Sequence, residues 1–145
     1  MFNGKILVAT DGTTLSERAV QTAARLAGRL GAELIAVSVE APYPYSAVGE
    51  SSALASADHQ SAIGAEASAR LARATEIARE CGVTCHTSMQ EAAEVHRGIL
   101  AAAEHRGAGL IVMASHGHRG LSALVLGSET QRLLAHSTLP VLVVR

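Results

Sequence analysis

The stretch from Ala114 to Ser128 contains the residues of this chain best suited to hold a phosphate group. Gly117, Gly120 and Gly127 punctuate it, and Ser128 directly follows the last of them. Glycine lets a backbone approach a phosphate closely with its N–H groups pointing inward. A helix that begins at Gly127 would add free N–H groups and a favourable dipole. The alternative is that these glycines only make turns, because isolated glycine spacings are weak signals.

Other chemical signatures are absent from the sequence. It contains no G-x-x-x-x-G-K-[ST], and no G-x-G-x-x-G follows the first predicted strand, which argues against a P-loop ATPase and a dinucleotide oxidoreductase. A G-x-S-x-G nucleophile elbow is also missing, as are H-E-x-x-H and Cys/His finger spacings. We therefore predict no catalytic residue and no metal site built from protein side chains.

Apolar runs and helical periodicities alternate along the chain. Thr14 and Glu17 have capping-box spacing at the start of the first helix. The proline- and serine-containing segment from Glu40 to Asp58 is predicted to be a long loop. The predicted strands cover residues 5–10, 33–39, 83–88, 110–114 and 140–144, and the predicted helices cover 14–30, 63–81, 92–106 and 127–136. Glycines are expected to end the first three helices, at Gly31, Gly82 and near Gly107.

This alternation predicts an α/β fold, a single domain over residues 1–145 with a doubly wound, five-stranded parallel sheet. We expect a Rossmann-like strand order, 3-2-1-4-5, with helices on both faces. Ligands of such sheets bind beyond the carboxyl ends of the strands, where the strand order reverses. Asp11 follows the first strand and Ser115 the fourth, so neighbouring strands would bring both to one crevice. The alternative for Asp11 is a cap at the start of the first helix.

The composition of the chain argues against a nucleic-acid partner. Twelve Lys and Arg against 13 Asp and Glu give a formal net charge of −1, and aromatic residues make up 2% of the 145 residues. Without a basic stripe or stacking aromatics, a nucleic-acid surface is not expected.

No apolar run approaches the roughly 18 residues of a membrane span. The start of the chain lacks a signal-peptide layout, so we expect a cytoplasmic protein, in which Cys81 and Cys85 would be reduced.

Three parts of the sequence resemble the universal stress protein family. They are the stretch from Ile111 to Ser128, the closing run from Pro140 to Val144 and the opening run from Lys5 to Gly12. The resemblance covers essentially the whole chain and is weakest in the long loop and around residues 89–97. It implies the same doubly wound fold.

The ATP-binding branch of that family carries the motif G-x2-G-x9-G-[ST]. Here Gly117, Gly127 and Ser128 match at the right spacing, and Ala114 stands in place of the first glycine. The resemblance implies that Asp11 contacts the ribose and that the backbone of Val39 reads the adenine edge. It further implies a base pocket lined by Ala9 and phosphates held by the three matching motif residues, with Mg²⁺ bridging the phosphates.

By this resemblance the protein is an ATP-binding regulatory or sensor module of a stress response, with at most slow ATP hydrolysis. It would form a homodimer through the strand at 140–144, unless its own helix covers that edge. The substitution at Ala114 keeps open a family member that holds no nucleotide and acts as a dimerising module for partner proteins. A nucleotidyl-transfer or hydrolytic enzyme on a similar sheet is the third possibility.

Overall fold

The structure is a computed structural model that describes residues 2–42, 50–117 and 125–145, except the side chains of 50–56 and 59. Within these ranges the strands are β1 (Lys5–Ala9), β2 (Glu33–Glu40), β3 (Cys85–Glu91), β4 (Leu110–Ala114) and β5 (Val141–Val144). The helices are α1 (Thr14–Leu30), α2 (Glu50–Glu80), α3 (Val95–Arg106) and α4 (Ser128–His136).

The strands form one parallel sheet in the order β3-β2-β1-β4-β5, which confirms the predicted α/β fold and strand order. The central strand is β1, in which Ile6 pairs with Leu34 of β2 on one side and with Leu110 of β4 on the other. The strand order therefore reverses between β1 and β4. Their carboxyl ends flank the crevice in which sheets of this kind bind ligands.

Each face of the sheet carries its own hydrophobic core. Ile6 and Val8 face α1 and α2, whereas Leu7 between them faces α3 and α4. Side chains alternate in this way because a strand has a period of two. Alanines such as Ala23 are fully buried on α1, and their small side chains bring the helix close to the sheet.

The C-terminal ends of α1 and α3 agree with the sequence, but the start of α1 does not. Gly31 and Gly107 end α1 and α3 as predicted, with φ of +63° and +66°. The predicted capping box of Thr14 and Glu17 is wrong. Thr13 is the N-cap, and its hydroxyl accepts a hydrogen bond from the backbone N of Ser16 at 3.2 Å.

Three other boundaries differ from prediction. Helix α2 begins at Glu50, so the loop predicted through residue 58 is wrong from residue 50 onward, and residues 43–49 lie outside the described ranges. Alanines in this segment favour helix although its apolar periodicity is weak. Strand β3 covers 85–91 rather than 83–88, and the N–H of Val83 is bonded to Ala78 O at the end of α2 instead of to a strand. Helix α3 begins at 95 rather than 92.

Candidate functional site

Asp11 and Gly117 lie against each other at the carboxyl ends of β1 and β4. A Cβ atom added to Gly117 would stand 2.6 Å from Oδ2 of Asp11, closer than real Cβ contacts allow. The structure therefore brings together two predicted site residues that are far apart in sequence. A side chain at this position would have to displace the carboxylate, which occupies its space.

The other carboxylate oxygen of Asp11 organises the turn into α1. Oδ1 accepts hydrogen bonds from the backbone N of Thr13 at 3.0 Å and from its hydroxyl at 2.6 Å. Asp11 therefore fixes the N-cap residue without being the cap itself. The reading of Asp11 as a cap of the first helix is therefore wrong: one of its oxygens serves the turn before the cap, and the other faces Gly117.

Ala114 packs into the core on the α1 and α2 face and is 8% exposed. It pairs in register with Val144 of β5, and Val112 lies on the same face of β4. The methyl group that distinguishes this position from the motif glycine thus lies in a packed cluster.

The start of α4 is built tightly against the end of β4. The backbone N of Gly127 donates to Ser115 O at 2.7 Å. A Cβ added to Gly127 would lie 3.2 Å from both Ser115 O and His116 Cα, so the motif glycine permits a close backbone approach. Ser128 is exposed, and within the described part of the chain no side chain caps this helix.

Thr130 is a residue of this region that sequence reasoning missed. It is 1% exposed, and its hydroxyl lies 3.1 Å from both Ala114 O and Ser115 O. This contact fixes the first turn of α4 to the end of β4. The sequence did offer a signal for this contact: a threonine lies two positions beyond Ser128, on the side of the predicted helix that faces the sheet.

Val39 and Ala9 both lie on the α3 and α4 face near the carboxyl edge of the sheet. Gly98 of α3 packs against Val39 so closely that an added Cβ would stand 2.6 Å from Val39 Cγ1. Gly98 was also missed from the sequence. A glycine in a helix interior is costly, and that cost was the signal that it serves a close contact.

Arg70 of α2 covers the turn that follows β1. Its side chain passes over Gly12, where an added Cβ would lie 3.0 Å from Arg70 Cγ, and its Nη1 lies 3.2 Å from Oε1 of Glu40. A cavity of about 210 Å³ next to this contact is lined by Thr10, Gly12 and α2 side chains that include Arg73. Helix α2 is thereby held to the ends of both β1 and β2.

Part of the predicted phosphate-binding stretch, including Gly120, lies outside the described residues. Just before this gap, Nδ1 of His116 is buried and has no hydrogen-bond partner among the residues described. A polar atom in that state, beside the close approaches at Gly117 and Gly127, fits a cradle for a polar ligand.

The described ranges contain neither a metal-ligating cluster nor a membrane-spanning helix. No group of three or more His, Cys, Asp or Glu side chains there is placed to hold a metal ion. Among the helices of the same ranges, none combines the length and the apolar character needed to cross a membrane.

Comparison with known proteins assigns the family. The sequence model described as "Universal stress protein family" matches residues 3–145. The universal stress protein MJ0531 of Methanocaldococcus jannaschii is 34% identical over 142 residues, covering 97% of this chain and 81% of that protein. The universal stress protein YxiE of Bacillus subtilis is 33% identical over 150 residues, covering 100% of both chains.

Solved structures share the fold. The universal stress protein UspA from Lactobacillus plantarum superposes with a TM-score of 0.85 at 21% identity, covering 100% of this chain and 99% of that one. A universal stress protein in complex with cAMP gives 0.70 at 25% identity, with coverages of 100% and 98%. One from Archaeoglobus fulgidus in complex with dAMP gives 0.69 at 20% identity and covers 100% of both chains. Together with the family match over residues 3–145, these findings establish that the chain belongs to the universal stress protein family.

Proposed function

We propose that this chain binds ATP at the carboxyl edge of its sheet and acts as a regulatory or sensor module in a stress response. The observation that carries the proposal is the contact between Asp11 and Gly117. In this contact the Asp11 carboxylate, which could accept hydrogen bonds from ribose hydroxyls, lies against Gly117. Gly117 belongs to the glycine-containing stretch that we propose binds the phosphates. Related proteins in complex with cAMP and dAMP support an adenine nucleotide as the ligand class.

The nucleoside end of the proposed site is formed by β1 and β2. Two hydrogen bonds from Thr13 hold the Asp11 carboxylate in place, which suits a fixed acceptor for ribose hydroxyls. Ala9 and Val39 lie on the same face of the sheet. There Ala9 would line the base pocket, and the backbone of Val39 would contact the adenine edge.

The phosphate end is formed by Gly117, Gly127 and Ser128. Among the described residues no side chain caps the N-terminus of α4, so a phosphate could accept hydrogen bonds from its first N–H groups and benefit from the helix dipole. The exposed Ser128 hydroxyl would add a donor. The packing of the Ala114 methyl into the core supports binding in spite of the altered motif, because the methyl has a place there.

The residues fit a divalent ion that arrives with the nucleotide. Mg²⁺ in such sites is held mainly by phosphates and water with few protein ligands, and the described residues lack a cluster of three ligating groups. The ion would neutralise phosphate charge. We propose no catalytic residue, and we expect ATP hydrolysis to be slow at most.

Binding is tested at Ser128, whose exposure lets it change without disturbing the core. Calorimetric titration of the nucleotide-free protein with ATP and Mg²⁺ should show binding. Ser128→Thr keeps the hydroxyl and should therefore retain ATP binding. Ser128→Asp places a negative charge against the phosphates and should weaken ATP binding at least tenfold while leaving adenosine binding unchanged. Failure of the unaltered protein to bind ATP up to millimolar concentration would overturn the proposal.

We also propose that two copies pair through β5. This strand is an edge of the sheet, and Leu142 on it is 37% exposed. An exposed edge strand favours pairing with a second strand. Leu142→Asp should shift the protein to monomers in sedimentation experiments. Met89→Asp on the opposite edge, where Met89 is 46% exposed, should not. Dimers that survive Leu142→Asp would exclude this interface.

A further inference from the structure

His96 is a buried, hydrogen-bonded side chain to which the proposed nucleotide site assigns no role. It lies in the first turn of α3 and is 3% exposed. Its ring contacts Glu129, the second residue of α4, which directly follows Ser128. Through this contact His96 connects the first turn of α3 to the first turn of α4. The N-terminus of α4 forms part of the proposed phosphate site.

The Glu129 carboxylate is fixed by three donor groups. Oε2 accepts from the backbone N of His96 at 2.8 Å and lies 2.9 Å from its Nδ1. Oε1 accepts from Arg132 Nη1 at 2.8 Å. Helix α3 has no side-chain hydrogen bond from its own N-cap residue, Glu94. Glu129 supplies that bond from the neighbouring helix instead.

The His96 ring is held from other sides as well. Nε2 lies 3.6 Å from a carboxylate oxygen of Glu94, and the ring of His136 is 5.3 Å away, centroid to centroid, at a tilt of 32°. The contact between Nδ1 and Oε2 requires the proton on Nδ1, and the neighbouring carboxylates favour a donor there. The ring has little room to turn away from Glu129.

The first turn of α4 is thus held at two adjacent residues. Thr130 fixes it to the end of β4, and Glu129 fixes it to α3. Ser128, which belongs to the proposed phosphate site, directly precedes Glu129 and Thr130. With either contact removed, the turn could rotate about the other, and its N–H groups would change direction relative to the end of β4.

We propose that His96 is a positioning residue for the phosphate end of the nucleotide site, acting through Glu129. This inference rests on the proposed function. It predicts a much larger effect on ligands that carry phosphates than on the nucleoside, because the His96 side chain contacts α4, whereas α3 meets the nucleoside end through Gly98 and Val39. A residue that served stability alone would weaken both kinds of ligand or neither.

Two substitutions of matched polarity separate these possibilities. In His96→Asn the side-chain amide nitrogen stands near the position of Nδ1 and can still donate to Glu129. In His96→Gln it stands near the position of Nε2 and cannot. Titration with ATP and with adenosine should show ATP affinity reduced about tenfold in His96→Gln, as for loss of a hydrogen bond to a charged group. Adenosine affinity should stay within twofold in both variants, and His96→Asn should retain most ATP affinity.

Amide hydrogen exchange on the ligand-free protein provides a readout that does not depend on nucleotide. Residues 128–130 should exchange faster in His96→Gln than in His96→Asn. If His96→Gln does not fold, His96→Leu takes its place with the same expectations. Equal loss of ATP and adenosine binding, or unchanged ATP binding, overturns the inference. If the unaltered protein binds no ATP, the proposed function fails, and unchanged exchange at 128–130 would then also exclude His96 as the residue that positions α4.

Discussion

The Asp11 carboxylate occupies the space that a side chain at Gly117 would need, with Oδ2 2.6 Å from the position of a Cβ atom there. A side chain at residue 117 would therefore have to displace this carboxylate or move the loop after β4. The contact lies at the point where the strand order reverses. A change at either residue would therefore also change the proposed binding site.

Gly117→Ala should disturb both the fold and the site. The new methyl would force the carboxylate off Thr13 or push the loop away, which costs about 1–3 kcal/mol of unfolding free energy. We expect ATP affinity to fall at least tenfold, measured by calorimetry. Gly64→Ala is the matched control, because no atom lies within 4 Å of a Cβ there. A Gly117→Ala protein that binds ATP like the unaltered one would contradict the proposed site.

Thr130→Val should loosen the first turn of α4. The substitution keeps the side-chain shape but leaves Ala114 O and Ser115 O without the hydroxyl. Urea denaturation should show a loss of about 1–3 kcal/mol, and ATP affinity should fall.

The control for this prediction is Thr130→Ser, which keeps the hydroxyl and removes one methyl group. It should retain ATP affinity even if its stability decreases by about 1 kcal/mol. Equal ATP affinities of the Val and Ser variants would show that the hydroxyl does not position the site.

Gly98→Ala should destabilise the protein although alanine favours helix by about 1 kcal/mol over glycine. The added methyl would overlap Val39 Cγ1, and overpacking of this kind costs about 1–3 kcal/mol. In a double-mutant cycle followed by urea denaturation, Val39→Ala should recover most of the loss, because it removes the overlapping methyl groups. Additive effects of the two substitutions would argue against this contact.

Glu129 should make stability depend on pH in the acidic range. Burial raises the pKa of this carboxyl, but hydrogen bonds from the backbone and ring of His96 and from Arg132 outweigh burial and hold the pKa below its usual 4.5. The unfolded state therefore binds the proton more readily. The stabilisation is present above the ordinary glutamate pKa and is lost as pH falls through the lower pKa of the folded state.

Glu129→Gln should accordingly flatten the fall in unfolding free energy on acidification, measured by denaturation at a series of pH values below about 5. Glu104→Gln, at an exposed position of α3, should leave that dependence unchanged. Parallel pH profiles for Glu129→Gln and the unaltered protein would show that the contact with His96 contributes no pH-dependent stability.

The sequence alone determined the fold class and the glycine ends of α1 and α3, through short-range periodicity and through glycine at positive φ. The strand order was expected only as that of a Rossmann-like fold, and the structure confirmed it. The sequence also indicated the family, through the runs at residues 5–12, 111–128 and 140–144. The single-domain organisation and the roles of the site residues stay predictions.

Only the tertiary structure decided which residues meet at the carboxyl edge. Asp11 with Gly117, Val39 with Gly98, and His96 with Glu129 are pairs from separate elements, and no local pattern encodes their contact. The start of α2 was missed for a related reason: an alanine- and serine-rich segment with weak apolar periodicity reads as loop. Local sequence sets where elements begin and end, but the side chains that meet depend on how the helices pack across the sheet.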